Sequence, residues 1–273
     1  SFDIDACALA VGVTDEEHAC MIAGTWSINE YIGREPVIDG SVMMNSFFCL
    51  PGYYLIEECS PTSAGNNEWF MKTLLPEIKE ECKKNGTNIY EQMNAWVEEI
   101  PPEELCPIFL PFLMASNVHP NARGSFVGIS NFHTRKHLLR SVYEGIAFSH
   151  RYHLERLLKT RKKPPKSIRL AGGAARSPVW TQMFADVMKL PVESVQVKET
   201  GAFGCALISA VACKDYPDIS KAVAHMCQIV EPVFPDTKRT AIYDEKYELY
   251  SKTIHALDGL WDSIQAYEDR HSF

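Results

Sequence analysis

Ser167-Ile168-Arg169-Leu170-Ala171-Gly172-Gly173-Ala174-Ala175-Arg176-Ser177-Pro178-Val179-Trp180 opens the stretch, running on to Glu199, whose reading decides the fold. Ile168 to Ala171 is a short apolar run between the Pro164-Pro165 break and two glycines, the pattern of a buried strand. Ser177 suits a helix N-cap and Pro178 the first helical position. From Val179 to Lys189, Trp180, Met183, Phe184 and Val187 recur at three- and four-residue steps, which predicts an amphipathic helix. Leu190-Pro191-Val192 ends that helix and begins another strand. The order is therefore strand, glycine turn, helix, strand.

A strand that empties through two glycines into a helix N-terminus suits a phosphate or nucleotide. Glycine lets the backbone come close, and free N–H groups with the helix dipole favour negative charge. A tight turn in an ordinary α/β protein has the same local pattern, so the turn alone leaves both readings open. It is not a dinucleotide fingerprint, since G-x-G-x-x-G is absent, nor a Walker loop, since no G-K-[ST] follows.

Composition narrows the partners. The 273 residues are 46% hydrophobic and 23% charged with a net charge of −8, so the chain reads as a globular domain and not as a nucleic-acid binder. The basic run Lys159-Thr160-Arg161-Lys162-Lys163 is short and reads as a solvated loop. No apolar run reaches the roughly 18 residues of a spanning helix, so no membrane partner is expected. Nine cysteines without C-x-x-C spacing read as reduced thiols, which points to the cytoplasm. The pairs His133/His137 and His150/His153 have helical spacing but no completing ligands, and no metal site is assigned to them.

Elsewhere, Cys20 to Ile32 reads as two β-rich runs around Gly24-Thr25, a hairpin. Tyr53 to Cys59 is a further strand, and a helix is expected from about Asn67 to Lys84. A second helix is expected near Ile89–Val97, a long one from Arg135 to Leu158, an Ala- and Gly-rich one over Gly201–Cys213, and a last one from Tyr243 to Ala266. At the start, Asp3 and Asp5 precede small apolar residues that run to Gly12; either carboxylate suits the first turn of a helix as a cap.

Taken together, Gly172 to Met183, Ala185-Asp186-Val187, Pro191-Val192 and Glu199-Thr200-Gly201-Ala202-Phe203-Gly204-Cys205-Ala206 resemble the nucleotide-binding signature of the FGGY carbohydrate kinases. These belong to the actin-like, ribonuclease-H-like ATPases. The resemblance runs from about Phe2 to Leu257. It implies an α/β, ribonuclease-H-like domain with a mixed five-stranded sheet flanked by helices, its first three strands antiparallel and lying between Cys20 and Cys59.

The resemblance also implies chemistry: phosphoryl transfer from ATP, with Mg²⁺, to a sugar hydroxyl. Asp3, with Ala6 three residues on, matches the family's general base, and Asp5 is the fallback. Gly24 and Thr25 match its second phosphate loop, and Gly128 matches a glycine that approaches the nucleotide. Gly173, Ala174 and Ser177 would line that nucleotide, Ala174 standing where a glycine is common. The Asp3 region and Ser60-Pro61-Thr62-Ser63-Ala64 are most similar to the L-xylulose (ketopentose) kinases. No Asp-x-Gly-Thr strand precedes Phe2, so residues 1–273 read as a C-terminal nucleotide-binding lobe that needs an N-terminal sugar lobe and is inactive alone; a homodimer stays open. A non-catalytic actin-like module acting on a partner protein is the alternative. A nicotinamide-dependent oxidoreductase is disfavoured by the incomplete glycine fingerprint.

Overall fold

The computed structural model describes residues 2–271. In chain order the elements are α1 (Asp3–Ala10), β1 (His18–Ala23), β2 (Ser27–Gly33), β3 (Met44–Phe47), β4 (Tyr54–Ser60), α2 (Gly65–Leu74), α3 (Pro76–Asn85) and α4 (Ile89–Glu99). There follow β5 (Ile108–Leu110), β6 (Ser125–Val127), α5 (Arg135–Leu158), β7 (Ser167–Gly172), α6 (Pro178–Met188), β8 (Val192–Glu193), α7 (Thr200–Ala212), α8 (Ile219–Met226), α9 (Thr237–Ala256) and α10 (Asp258–His271).

The main sheet has six strands in the order β3-β4-β2-β1-β7-β8. β1 pairs with β2 antiparallel and with β7 parallel, and β7 pairs with β8 parallel. The sheet is mixed and flanked by helices, as expected, but it has one strand more than the five expected. The extra strand is β3, which pairs antiparallel with β4 at the sheet edge. Its residues Met44-Asn45-Ser46-Phe47 are exposed or half-buried and carry no apolar run, so periodicity gave no sign of it.

The central strands are buried on both faces, and alternate residues feed two cores. Met21, Ala23, Ile56 and Leu170 point into a core with Phe70, Ile146 and Phe184. Cys20, Ile22, Leu55 and Ala171 point into the other, with Leu9 of α1, Leu207 of α7 and Val223 of α8. The helix expected from Asn67 to Lys84 is two helices. Pro76 opens α3 at its first position, and its ring and missing N–H end α2 at Leu74. The last expected helix is likewise two: α9 starts earlier, at Thr237, where Asp236 caps it, and a break at Leu257 separates it from α10.

Candidate nucleotide and phosphate site

The sheet register brings the two glycine turns together. Ala23, the last residue of β1, is paired in parallel with Gly172, the last residue of β7. Both strands therefore discharge their turns, Gly24-Thr25 and Gly173-Ala174, at the same end of the sheet. Gly172 makes the closeness possible. Its φ is +89°, and a Cβ there would stand 2.5 Å from the Ala23 carbonyl oxygen and 3.0 Å from the Gly24 nitrogen. No other residue fits.

The Gly24-Thr25 turn is fastened by its carbonyls. The Ser63 N–H donates to the Thr25 oxygen at 2.9 Å, and the Ala64 N–H donates to the Gly24 oxygen at 2.7 Å. With the carbonyls engaged, the Thr25 and Trp26 amides are left without an acceptor among the described residues, on an exposed turn. Unengaged amides on a tight turn favour an anion. Gly173 is exposed too, and a Cβ added there would meet nothing within 4 Å, so open space lies over its backbone.

Ala174 and Ser177 sit beneath that space. Ala174 is fully buried. Ser177 caps α6, its hydroxyl oxygen accepting from the Trp180 N–H at 3.2 Å while its proton goes to Asn94 Oδ1 at 2.8 Å. Both positions support the floor of the turn, and the Ser177 hydroxyl is engaged. Gly128 belongs to a different element: it follows β6 in the two-stranded β5–β6 unit, exposed, with φ of +83°.

Asp3 and Asp5 part company on α1. Asp5 is 3% exposed, and its Oδ2 accepts from the Phe2 N–H at 2.9 Å, a cap at the helix entrance. Burial raises the Asp5 carboxyl above its ordinary value, against the lowering effect of that hydrogen bond. Asp3 is exposed, and its Oδ1 takes only the N–H of the next residue, Ile4. The residue free to meet a substrate is Asp3.

Behind α1 lies an acidic row. Cys20, Glu30 and Glu57 are register partners across β1, β2 and β4. Glu30 is 0% exposed and neither carboxyl oxygen has a hydrogen-bond partner among the described residues. Burial pushes it well above its ordinary 4.5; the nearby Cys20 thiol opposes this, and the charges of Glu57, Asp5 and Asp3 add to it. Because the folded value lies above the unfolded one, the stability that Glu30 contributes is fully present below 4.5 and is lost as pH rises toward the folded value. Glu30→Gln, neutral at every pH, is therefore expected to raise Tm at pH 8 by several degrees (each kcal/mol is worth roughly 2–4 °C in a chain of this size) and to change it little at pH 4.5. Melting curves at the two pH values check this; an equal shift at both would show that Glu30 does not resist ionisation.

Sequence reasoning did not find Ser63, Ala64 or Asn94 as supports of the two turns. The Ser60–Ala64 segment stood out only by resemblance, and Asn94 gave no local signal because its partners are 49 and 83 residues away. Among the described residues there is no cluster of three or more side chains suited to a metal ion, and no helix is long and apolar enough to cross a membrane.

Comparison with known proteins identifies the family. Residues 19–213 match the FGGY family of carbohydrate kinases, C-terminal domain. The chain is 35% identical over 266 residues to L-xylulose/3-keto-L-gulonate kinase of Escherichia coli (strain K12), covering 97% of this chain and 51% of that protein. It is 32% identical to a probable L-xylulose kinase of Pasteurella multocida (strain Pm70), covering 95% of this chain and 50% of that protein. Among solved structures, xylulose kinase from Rhodospirillum rubrum superposes with a TM-score of 0.82 at 26% identity, over 96% of this chain and 51% of that one. The chain thus spans about half the length of the relatives it matches. Its six-stranded mixed sheet flanked by helices is the actin-like, ribonuclease-H-like architecture of those kinase structures, and the chain belongs to the FGGY family of carbohydrate kinases.

Proposed function

We propose that the protein carrying this chain is a cytoplasmic kinase that transfers the γ-phosphoryl group of ATP to a hydroxyl of a ketopentose such as L-xylulose. Residues 1–273 form its nucleotide-binding lobe, and a second lobe supplies most contacts to the sugar. The observation that carries this reading is the junction of β1 and β7, where an anion-seeking turn and a glycine turn with open space above it leave one end of the sheet together.

ATP fits this end of the molecule. Gly173 offers the bare backbone against which a nucleotide can lie, and the amides of Thr25 and Trp26 offer donors to its terminal phosphate. The N-terminus of α6 adds its dipole. Mg²⁺ neutralises charge on the phosphates, and it fits as an ion that arrives with the nucleotide, since Mg²⁺ is commonly held by one or two carboxylates and by phosphate oxygens. Asp3 accepts the proton of the attacking hydroxyl. The L-xylulose of the similar kinases favours a ketopentose as the acceptor.

The test is ADP release by the full protein with ATP, Mg²⁺ and each of L-xylulose, D-xylulose, 3-keto-L-gulonate and glycerol. Turnover on a ketose with none on glycerol is the expected result. ATP hydrolysis indifferent to every sugar would instead fit an actin-like module. The chain alone is expected to release no sugar-dependent ADP, because near-attack geometry needs both lobes. In the full protein, Gly173→Val fills the space over the turn and should raise the KM for ATP by about ten-fold or more while leaving that for sugar within about two-fold, one lost phosphate or ribose contact being worth about a factor of ten. Equal changes in both constants would place Gly173 away from the nucleotide.

A further inference from the structure

The Gly24-Thr25 turn is linked through Ser63 to a buried side chain far along the chain, His150. His150, on α5, is 0% exposed, and so are Ser27 and Asn29, which meet one edge of its ring. Its Nδ1 lies 3.0 Å from Asn29 Oδ1 and 3.1 Å from Ser27 Oγ. Its Nε2 lies 2.8 Å from Ser63 Oγ. The Asn29 amide nitrogen donates to the Glu58 carbonyl, so Asn29 Oδ1 faces the ring and can only accept. The proton therefore sits on Nδ1, and Nε2 accepts the Ser63 O–H.

Burial, with the neighbouring His153 adding to it, pushes the imidazole down to about 3, so the ring is neutral and keeps this single tautomer throughout the physiological range. The Phe184 ring closes its flank edge-on at 5.4 Å. Ser63 is 1% exposed, and its hydroxyl points inward to His150 while its backbone N–H points outward to the Thr25 carbonyl. Ser27, the first residue of β2, is held by the same ring.

We propose that His150 is a positioning residue for phosphoryl transfer: through Ser63 it locks the Thr25 carbonyl inward and so aims the Trp26 amide, in the same peptide plane, at the terminal phosphate of the nucleotide, beside the Thr25 amide that Ala64 aims through the Gly24 carbonyl. This rests on the reading of Gly24-Thr25 as a phosphate turn. It goes beyond that reading by tying the turn to the Asn29–His150–Ser63 chain. His150 touches no substrate. A network that only stabilised the core would be connected to the sheet and to α5, but it would have no need to end on the carbonyl of an exposed turn.

The measurement is the ratio of Kd for ATP to Kd for ADP, by calorimetry on the full protein, beside Tm and hydrogen exchange of the peptide spanning 23–27. His150→Leu removes the ring's hydrogen bonds, Ser63→Ala removes only the hydroxyl, and His150→Gln keeps a polar group within reach of Ser63. Gly24→Val alters the turn directly; a Cβ at Gly24 meets nothing closer than 3.9 Å, so the variant is expected to fold, and its Tm checks this. We expect Ser63→Ala and His150→Leu to raise the ATP-to-ADP ratio about ten-fold, the worth of one charge-assisted hydrogen bond, and to speed exchange of 23–27. His150→Gln should recover part of both. If Gly24→Val raises the ratio while Ser63→Ala leaves it and the exchange unchanged, His150 has no positioning role and the phosphate turn stands. If Gly24→Val also leaves the ratio unchanged, the turn is not the phosphate seat and both readings fall. Should His150→Leu not fold, Ser63→Ala alone decides.

Discussion

Asp3→Asn in the full kinase is expected to lower kcat by about 10²–10⁴-fold, the usual contribution of a positioned general base, with Tm and the affinity for ATP close to those of the parent. A sugar hydroxyl is a poor nucleophile at neutral pH, so under the proposed role of Asp3 as proton acceptor its loss falls on the chemical step. The structure separates the two carboxylates that the sequence left open. Asp5 is buried and spends its Oδ2 on the Phe2 N–H, which an Asn amide oxygen can also accept. Asp5→Asn should therefore keep most activity. Asp3 is exposed and binds only its neighbour's N–H, a contact that Asn also keeps. A cap role predicts that Asp3→Asn is nearly silent, since Asn and Asp cap about equally well. Steady-state kinetics on the two variants, with calorimetry of ATP binding, decides among these. Inactivity of Asp5→Asn with full activity of Asp3→Asn would move the base by two residues; activity in both would remove it from this segment.

What the sequence disclosed follows from how far apart the interacting residues lie. The β7–turn–α6 unit was legible because its signals are local: an apolar run, two glycines, a capping serine and a proline within twelve positions, which the structure keeps with the cap on Ser177. The long helix α5 was legible to its end residues because its inward stripe repeats over 24 residues. β3 was not, since an exposed edge strand of four residues has neither an apolar face nor a turn signal, only pairing to β4. The break at Pro76 was present in the sequence but outweighed by the apolar period on either side of it. In the site, the glycines were visible and their support was not. His150 reads from sequence as half of a histidine pair at helical spacing. Its function as a link between Asn29 and Ser63 exists only once α5 is laid across the sheet.

Gly204→Ala should unseat α1 and, with it, Asp3. The helices α1 and α7 pack so closely here that a Cβ at Gly204 would stand 1.8 Å from the Ala6 carbonyl oxygen and 2.4 Å from its carbonyl carbon. No rotamer change relieves a clash with backbone, so one helix must move away from the other. Overpacking of this kind costs about 1–3 kcal/mol and occasionally more, enough to offset the roughly 1 kcal/mol that Ala gains over Gly in a helix. The same helix supplies the control. A Cβ at Gly201 would lie 3.7 Å from the Cys7 sulfur, an ordinary contact, so Gly201→Ala should leave Tm unchanged or raise it. Because the obstacle at 204 is the Ala6 backbone, Ala6→Gly should not rescue Gly204→Ala, whereas a clash between side chains would be cured by it. Asp3 is three residues from Ala6 on α1, so the displaced helix should also lower kcat, with the affinity for ATP less affected. Melting temperatures and kinetics of the two single alanine variants and the double variant measure both effects. A Gly204→Ala protein as stable and as active as the parent would show that the close crossing of α1 and α7 does not hold Asp3 in place.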